Sequence, residues 1–342
     1  MKAIVNTGPG RLEMLEWPMP EAGPGQVRVR TGACGICATD LEMIAGWDRT
    51  GFPSIPGHEW SGMVDAVGPG VERTLLGRRC VAENVLDDGG EVGFEYPGGY
   101  AEYLVTEANK VHVLPDFFPF DTAALIEPLA VCVRGMHRLC CKGTRRALVL
   151  GDGPIGLLSV ALLARASVEQ IVMVGGRNAR LALGRELGAS AALNYHDLGG
   201  RLADVLGDKF SDSFNAVVEA TGSERGISAA IRLVAREGKV LVLGDYRDLR
   251  AEFRWNDLLH RELRIVGSNA SAEAWPEAVR LAVDGSVPLE RLITYRCPAD
   301  QFAEGIALVR SRREDMIKVV IDWENGQHGM DSVETAAAIT LP

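Results

Sequence analysis

Long apolar runs are missing from this chain of 342 residues. No stretch approaches the roughly 18 to 20 residues that cross a bilayer, so no membrane association is expected. The start is equally short of apolar length: Met1-Lys2-Ala3-Ile4-Val5 runs at once into Gly8-Pro9-Gly10, unlike a cleavable leader. Positive charge is also scarce, with 36 basic against 46 acidic residues. Without a basic patch or run, nucleic acid is excluded as a partner. Seven cysteines, at 34, 37, 80, 132, 140, 141 and 297, form no evenly spaced framework, which fits a reducing, cytoplasmic setting. No internal repeat or low-complexity tract is present, and the length suits two domains with a sizeable core.

What is present is concentrated between Cys34 and Glu59. Cys34-Gly35-Ile36-Cys37-Ala38-Thr39-Asp40 is followed by a loop with Trp47 and then by Pro56-Gly57-His58-Glu59-Trp60. Thiolate and imidazole are the donors zinc prefers, and a catalytic zinc keeps three protein ligands and one open position. Cys37 and His58 are therefore the first two candidate ligands. Glu127, in Leu125-Ile126-Glu127-Pro128-Leu129, is the third, because a carboxylate in an apolar helical stretch is costly unless a cation offsets it. Glu59 is a neighbour that can exchange in. Cys34 is read as structural, since no second cysteine pair follows at knuckle spacing.

Further along, the pattern changes from short strands and turns to alternating strands and helices. Ala147-Leu148-Val149-Leu150 reads as a buried strand, Gly151-Asp152-Gly153-Pro154-Ile155-Gly156 as a G-x-G-x-x-G turn, and the residues from Leu157 to Ala166 as a helix. In that context the glycines allow a tight turn and close approach of backbone to a pyrophosphate at a helix N-terminus. Gly151, Gly153, Pro154, Ile155 and Gly156 are thus the cofactor-binding candidates. Strand-like runs at 170–174, 216–222, 239–244 and 263–267 continue the alternation, which predicts a doubly wound parallel sheet.

The ordered words Gly35-Ile36-Cys37-Ala38-Thr39-Asp40, Gly57-His58-Glu59 and Glu127-Pro128-Leu129, followed by the glycine fingerprint, resemble the zinc-dependent medium-chain alcohol and polyol dehydrogenases. The resemblance runs from Met1 to about Asp322. It implies an α/β architecture: a β-rich, GroES-like catalytic domain over 1–121 and 288–342, a Rossmann domain over 122–287, and an active site in the cleft. It implies a catalytic zinc acting as Lewis acid on the substrate alcohol, with Thr39 passing the proton and Asp40 fixing the tautomer of His58. It also implies a homo-oligomer, a dimer or a tetramer, and gives Lys318 as a cationic cofactor contact.

Two departures shape the reading. Many relatives hold a structural zinc with four cysteines near residues 83 to 97, but no cysteine lies between Cys80 and Cys132, so one metal per chain is expected. A relay histidine is also absent three residues after Thr39, where Glu42 stands. Glu42 suits a polyhydroxylated or amino-bearing substrate, such as a sugar, polyol or cyclitol, and Trp47 supplies an apolar wall.

The acidic residue that marks NAD-specific units is missing about 20 positions past the fingerprint. Gly175, Gly176 and Arg177 occupy that place, leaving room and a guanidinium for a 2′-phosphate. This resembles the NADP-using members, and NADP is expected to be preferred over NAD. The rival readings are a zinc-free quinone or enone reductase of the same fold and a non-catalytic NADP-binding protein.

Overall fold

The computed structural model describes residues 1–198, 206, 214–324 and 338–340. Two compact units emerge: Met1–Glu127 together with Trp275–Pro342, and Pro128–Ala274. The chain re-enters the first unit at Trp275, earlier than the expected return near Pro288. Helix α8 (Trp275–Val283) is the reason: Trp275 is buried in the first unit and stacks on His112 with ring centroids 5.8 Å apart.

The first unit is built on strands. Seven form one sheet in the order β14-β15-β3-β4-β5-β7 (Ile293–Pro298, Lys318–Asp322, Gln26–Gly35, Glu59–Val67, Arg79–Ala82, Val111–Val113), with β6 (Tyr103–Glu107) also pairing β3. Alternation along β3 puts Val27 and Val29 in the core while Arg28 and Arg30 face outward, the period of two that a half-buried strand requires. Trp60, Tyr100, Phe302 and Ile321 complete that core. A smaller sheet pairs β1 (Lys2–Gly8), β2 (Arg11–Glu16) and β16 (Ala338–Thr340). Of the tail 326–342, only residues 338–340 are described, antiparallel to β2; the rest lies outside the described residues.

The second unit contains a six-stranded parallel sheet, ordered β10-β9-β8-β11-β12-β13 (Ala191–Asn194, Gln170–Gly175, Arg146–Leu150, Phe214–Glu219, Val234–Val242, Arg264–Gly267). The order reverses beside β8, the switch point at which such sheets bind nucleotides. Its central strands β8, β9 and β11 are largely apolar and buried, as expected where both faces of a parallel sheet are covered. The predicted doubly wound Rossmann arrangement and the separate β-rich domain are both present.

Short helices position the chemistry. In the first unit, α1 (Ala38–Ala45) follows β3 directly, and α2 (Phe120–Ala124) leads into α3 (Ile126–Leu139), most of which belongs to the second unit. Pro128 falls in the first turn of α3, where its missing N–H costs nothing. In the second unit, α4 (Pro154–Arg165) follows β8, α5 (Asn178–Glu186) follows β9, α6 (Glu224–Leu233) follows β11, and α7 (Trp255–His260) precedes β13. Among the described residues, no helix is long and apolar enough to cross a membrane.

Candidate active site

The end of β3 and the start of β4 run side by side, with Gly35 paired to Glu59 and Cys34 to Trp60. This register brings together groups separated by some twenty residues of loop. Cys37 caps α1, and its backbone N–H donates to Asp40 Oδ2 at 2.8 Å. That hydrogen bond turns the first helical turn so that Cys37 Sγ lies 3.7 Å from Thr39 Oγ1. His58 enters from the residue before β4, and its Nδ1 faces Asp40 Oδ1 at 3.2 Å. Asp40 is fully buried and also accepts from the Tyr100 hydroxyl at 3.3 Å.

Ligand atoms of Cys37, His58 and Glu59 lie within 4.8 Å of one another, a grouping suited to a metal ion. Glu127, read from the sequence as the third ligand, is outside this group, and Glu59, read as the exchanging neighbour, is inside it. The two carboxylates are placed differently for a physical reason. Glu59 is fixed by the β3–β4 register, whereas Glu127 stands in the first turn of α3. Glu127 still feels the cluster: burial pushes its carboxyl up to about 7, the charge on His58 pulls it down and Glu59 pushes it up.

Electrostatics around the cluster are those of buried, mutually compensating charges. Burial alone would lower the pKa of His58, but the Asp40 carboxylate and then Cys37 raise it well above its ordinary value. Lys318 is buried and donates from Nζ to Glu59 Oε1 at 2.6 Å and to the carbonyl of Ile36 at 3.4 Å. Two of the three ammonium donors are thus used within the first unit, and Glu59 is the partner that holds Lys318 in place. Burial would lower its pKa, and the Glu59 charge more than offsets that. Cys34 is buried, and desolvation raises its thiol well above the usual value, in keeping with a structural role.

The surrounding walls include residues with no signal in the sequence. Phe94, in the stretch noted above only for its missing cysteines, packs its ring against His58 with centroids 4.9 Å apart. Trp47 meets Phe94 edge-on at 6.2 Å. The Arg49 guanidinium lies 4.6 Å from the centre of the Phe94 ring and is held by Glu91 at 2.7 Å and Glu95 at 2.6 Å. These ion pairs tie two loops into one wall. Glu42 lies on α1, three residues after Thr39, and is partly exposed.

In the second unit the fingerprint takes its expected form. Gly151 adopts φ +117°, and a side chain on Gly156 would collide with the carbonyl of Gly151. Gly153 caps α4, and Pro154 and Ile155 begin its first turn, with the helix N–H groups opening toward the end of β8. Gly175 ends β9 and Arg177 caps α5. The room at Gly175 is, however, already filled. The Asp152 carboxylate occupies it and pairs with Arg177 Nη1 at 2.7 Å.

A cysteine-histidine-carboxylate cluster in a β-rich unit, in a chain whose other unit is a Rossmann sheet with an intact fingerprint, is the arrangement of an alcohol or polyol dehydrogenase. Residues 23–116 match the alcohol dehydrogenase GroES-like domain, and residues 120–323 match the glucose dehydrogenase C-terminus. The chain belongs to the zinc-dependent medium-chain dehydrogenase/reductase family, in its polyol and sugar dehydrogenase branch.

It is 32% identical to D-altritol 5-dehydrogenase of Agrobacterium fabrum over 88% of this chain and 94% of that one. Among solved structures it resembles a zinc-binding dehydrogenase from Sinorhizobium meliloti 1021 bound to NADP, with TM-score 0.86 and 25% identity over 94% of this chain and 98% of that one. A short chain alcohol dehydrogenase from Escherichia coli CFT073 complexed with NADH gives TM-score 0.88 and 25% identity over 94% and 99%.

Proposed function

We propose that this protein is a zinc-dependent dehydrogenase that oxidises a polyol, sugar, cyclitol or secondary alcohol, preferring NADP over NAD by a narrow margin. The observation that carries the reading is the convergence of Cys37, His58 and Glu59 donor atoms within 4.8 Å. Their donor types suit zinc. Glu59 Oε2 also points inward, buried and without a hydrogen-bond partner, as a carboxylate oxygen awaiting a cation would.

Cys37, His58 and Glu59 would hold the ion, with Glu127 as the carboxylate that exchanges. When bound, zinc supplies Lewis acidity toward the substrate oxygen. The remaining steps belong to the chain. Asp40 Oδ1 stands 3.2 Å from His58 Nδ1, a placement that would leave Nε2 for the metal. Thr39, beside Cys37, is the hydroxyl that takes the proton from the alcohol and passes it outward. Phe94 and Trp47 form an apolar wall that keeps water from the reacting carbon, and Glu42 accepts from a second substrate hydroxyl. Gly151, Gly153, Pro154, Ile155 and Gly156 would hold the nucleotide, whose nicotinamide supplies the hydride acceptor when bound.

The missing acid at the end of β9 and the cation at Arg177 favour NADP, while the neighbours of known structure carry NADP in one case and NADH in another. Asp152 narrows the preference by neutralising Arg177. Relatives acting on D-altritol and D-arabitol phosphate support a polyol as substrate. The free thiols found among the described residues suit a reducing, cytoplasmic compartment. The outermost strand β13, with Ile265 exposed, suits association into a homo-oligomer.

The test is a panel of sugars, polyols, cyclitols and secondary alcohols with NADP and NAD, following absorbance of the reduced cofactor with and without chelator. Polyol oxidation abolished by chelator and restored by zinc is the expected result. A chelator-resistant rate on enones would establish the zinc-free reductase instead. NADPH binding with no turnover on any substrate would establish a non-catalytic nucleotide-binding protein.

A further inference from the structure

NAD-selective Rossmann units place an acidic side chain at the end of the second strand, where it accepts from the adenosine ribose 2′-hydroxyl. Here that strand, β9, ends on Gly175, and a carboxylate reaches the same place from elsewhere. Asp152, the second residue of the fingerprint, is only 5% exposed. Its Oδ2 accepts from the backbone N–H of Gly176 at 2.9 Å and of Arg177 at 2.8 Å, and its Oδ1 from Arg177 Nη1 at 2.7 Å. A Cβ on Gly175 would overlap Asp152 Cβ and lie 2.7 Å from Oδ2, so glycine at 175 is what admits the aspartate.

The donors that Asp152 holds are the ones a 2′-phosphate calls for: two backbone N–H groups leading into α5 and a guanidinium. An internal anion already satisfies them. A phosphate entering here meets a carboxylate whose like charge opposes it and must compete for the same N–H groups. A ribose 2′-hydroxyl meets instead an acceptor in the ordinary position.

We propose that Asp152 is the specificity-determining residue of the adenosine subsite: it supplies, from the fingerprint, the carboxylate that β9 lacks, and restrains the preference for a 2′-phosphate that Arg177 would otherwise give. The inference rests on the nicotinamide-nucleotide reading above and deepens it. Asp152 acts on the cofactor choice, not on the chemistry at the metal.

The experiment measures binding by calorimetry, with adenosine 2′,5′-bisphosphate and adenosine 5′-monophosphate as probes of the full-length protein. Asp152→Asn and Asp152→Ala are expected to bind the bisphosphate at least about tenfold more tightly than the unaltered protein. Affinity for the monophosphate, whose 2′-hydroxyl loses its acceptor, should fall by about three- to tenfold, more in Asp152→Ala than in Asp152→Asn. Unchanged or weakened bisphosphate binding in folded variants overturns the assignment.

If neither variant folds, the unaltered protein decides. A bisphosphate advantage over the monophosphate of about tenfold or less supports a cradle already filled, and a clearly larger advantage overturns it. A protein that binds NADH more tightly than NADPH refutes the cofactor preference of the previous section and leaves Asp152 standing, because its test is the change on substitution.

Discussion

Lys318 and Glu59, 259 residues apart in the chain, form an ion pair of 2.6 Å inside the first unit, with 5% and 2% of their side chains exposed. The pair holds the Glu59 carboxylate in place: Oε1 accepts from the ammonium, and Oε2 lies buried beside Gly35 with no hydrogen-bond partner. Breaking such a pair from one side leaves an uncompensated buried charge. Lys318→Met is therefore expected to cost about 3–5 kcal/mol, and adding Glu59→Gln should recover part of that loss. Urea unfolding of chelator-treated protein measures both, and an unchanged midpoint for Lys318→Met would show the pair to be idle.

Metal content offers a second check. With no four-cysteine lobe in residues 83–97, protein washed with chelator and reloaded should retain one zinc per chain. Asp40→Asn removes the carboxylate that faces His58 Nδ1 and accepts from the Cys37 N–H. Zinc affinity should fall roughly 10–100-fold, read by competition with a chromogenic chelator. Two tightly held ions, or an Asp40→Asn protein with undiminished affinity, would contradict the proposed site.

Gly35 tests the close approach of β3 to β4. An added methyl group there would collide with Glu59 Oε2, and Glu59 has little freedom to retreat because Lys318 holds its other oxygen. Gly35→Ala should fold, since its backbone is ordinary strand, yet lose zinc during dialysis that the unaltered protein survives. Equal zinc retention would mean that Glu59 can move without consequence.

Acid stability should depend on His112. Partial burial lowers its pKa below the ordinary 6.5, and its ring stacks on Trp275. The unfolded chain therefore binds the proton more readily, so the contribution of this residue to stability is intact above pH 6.5 and is lost as pH falls through the depressed value in the folded state. His112→Phe keeps an aromatic ring and removes the titration. Thermal melts between pH 7 and 5 should show a shallower loss in the variant, and parallel curves would exclude His112 as a contributor.

Much of this was legible in the residues themselves. The fingerprint Gly151-Asp152-Gly153-Pro154-Ile155-Gly156 lay between an apolar run and a helix-forming run, and such local context survives folding. Cys37, Asp40 and His58 were legible for a similar reason: short words in a fixed order carry the spacing that α1 and the start of β4 turn into geometry. Phe94 and Arg49 were not, because a side chain in an irregular loop has no periodicity to reveal what it faces. The pairing of Lys318 with Glu59 was not legible either, because only the pairing of β15 with β3 brings the two together.

By itself, then, the sequence determined the alternation of strands and helices, the donor types available to a metal and the place of the nucleotide turn, because each depends on neighbours along the chain. Tertiary structure alone decided which carboxylate joins Cys37 and His58, what Lys318 does, and that the space at Gly175 belongs to Asp152. Those outcomes depend on strand register and on which charged groups share a desolvated interior, and both are set by contacts between residues far apart in order.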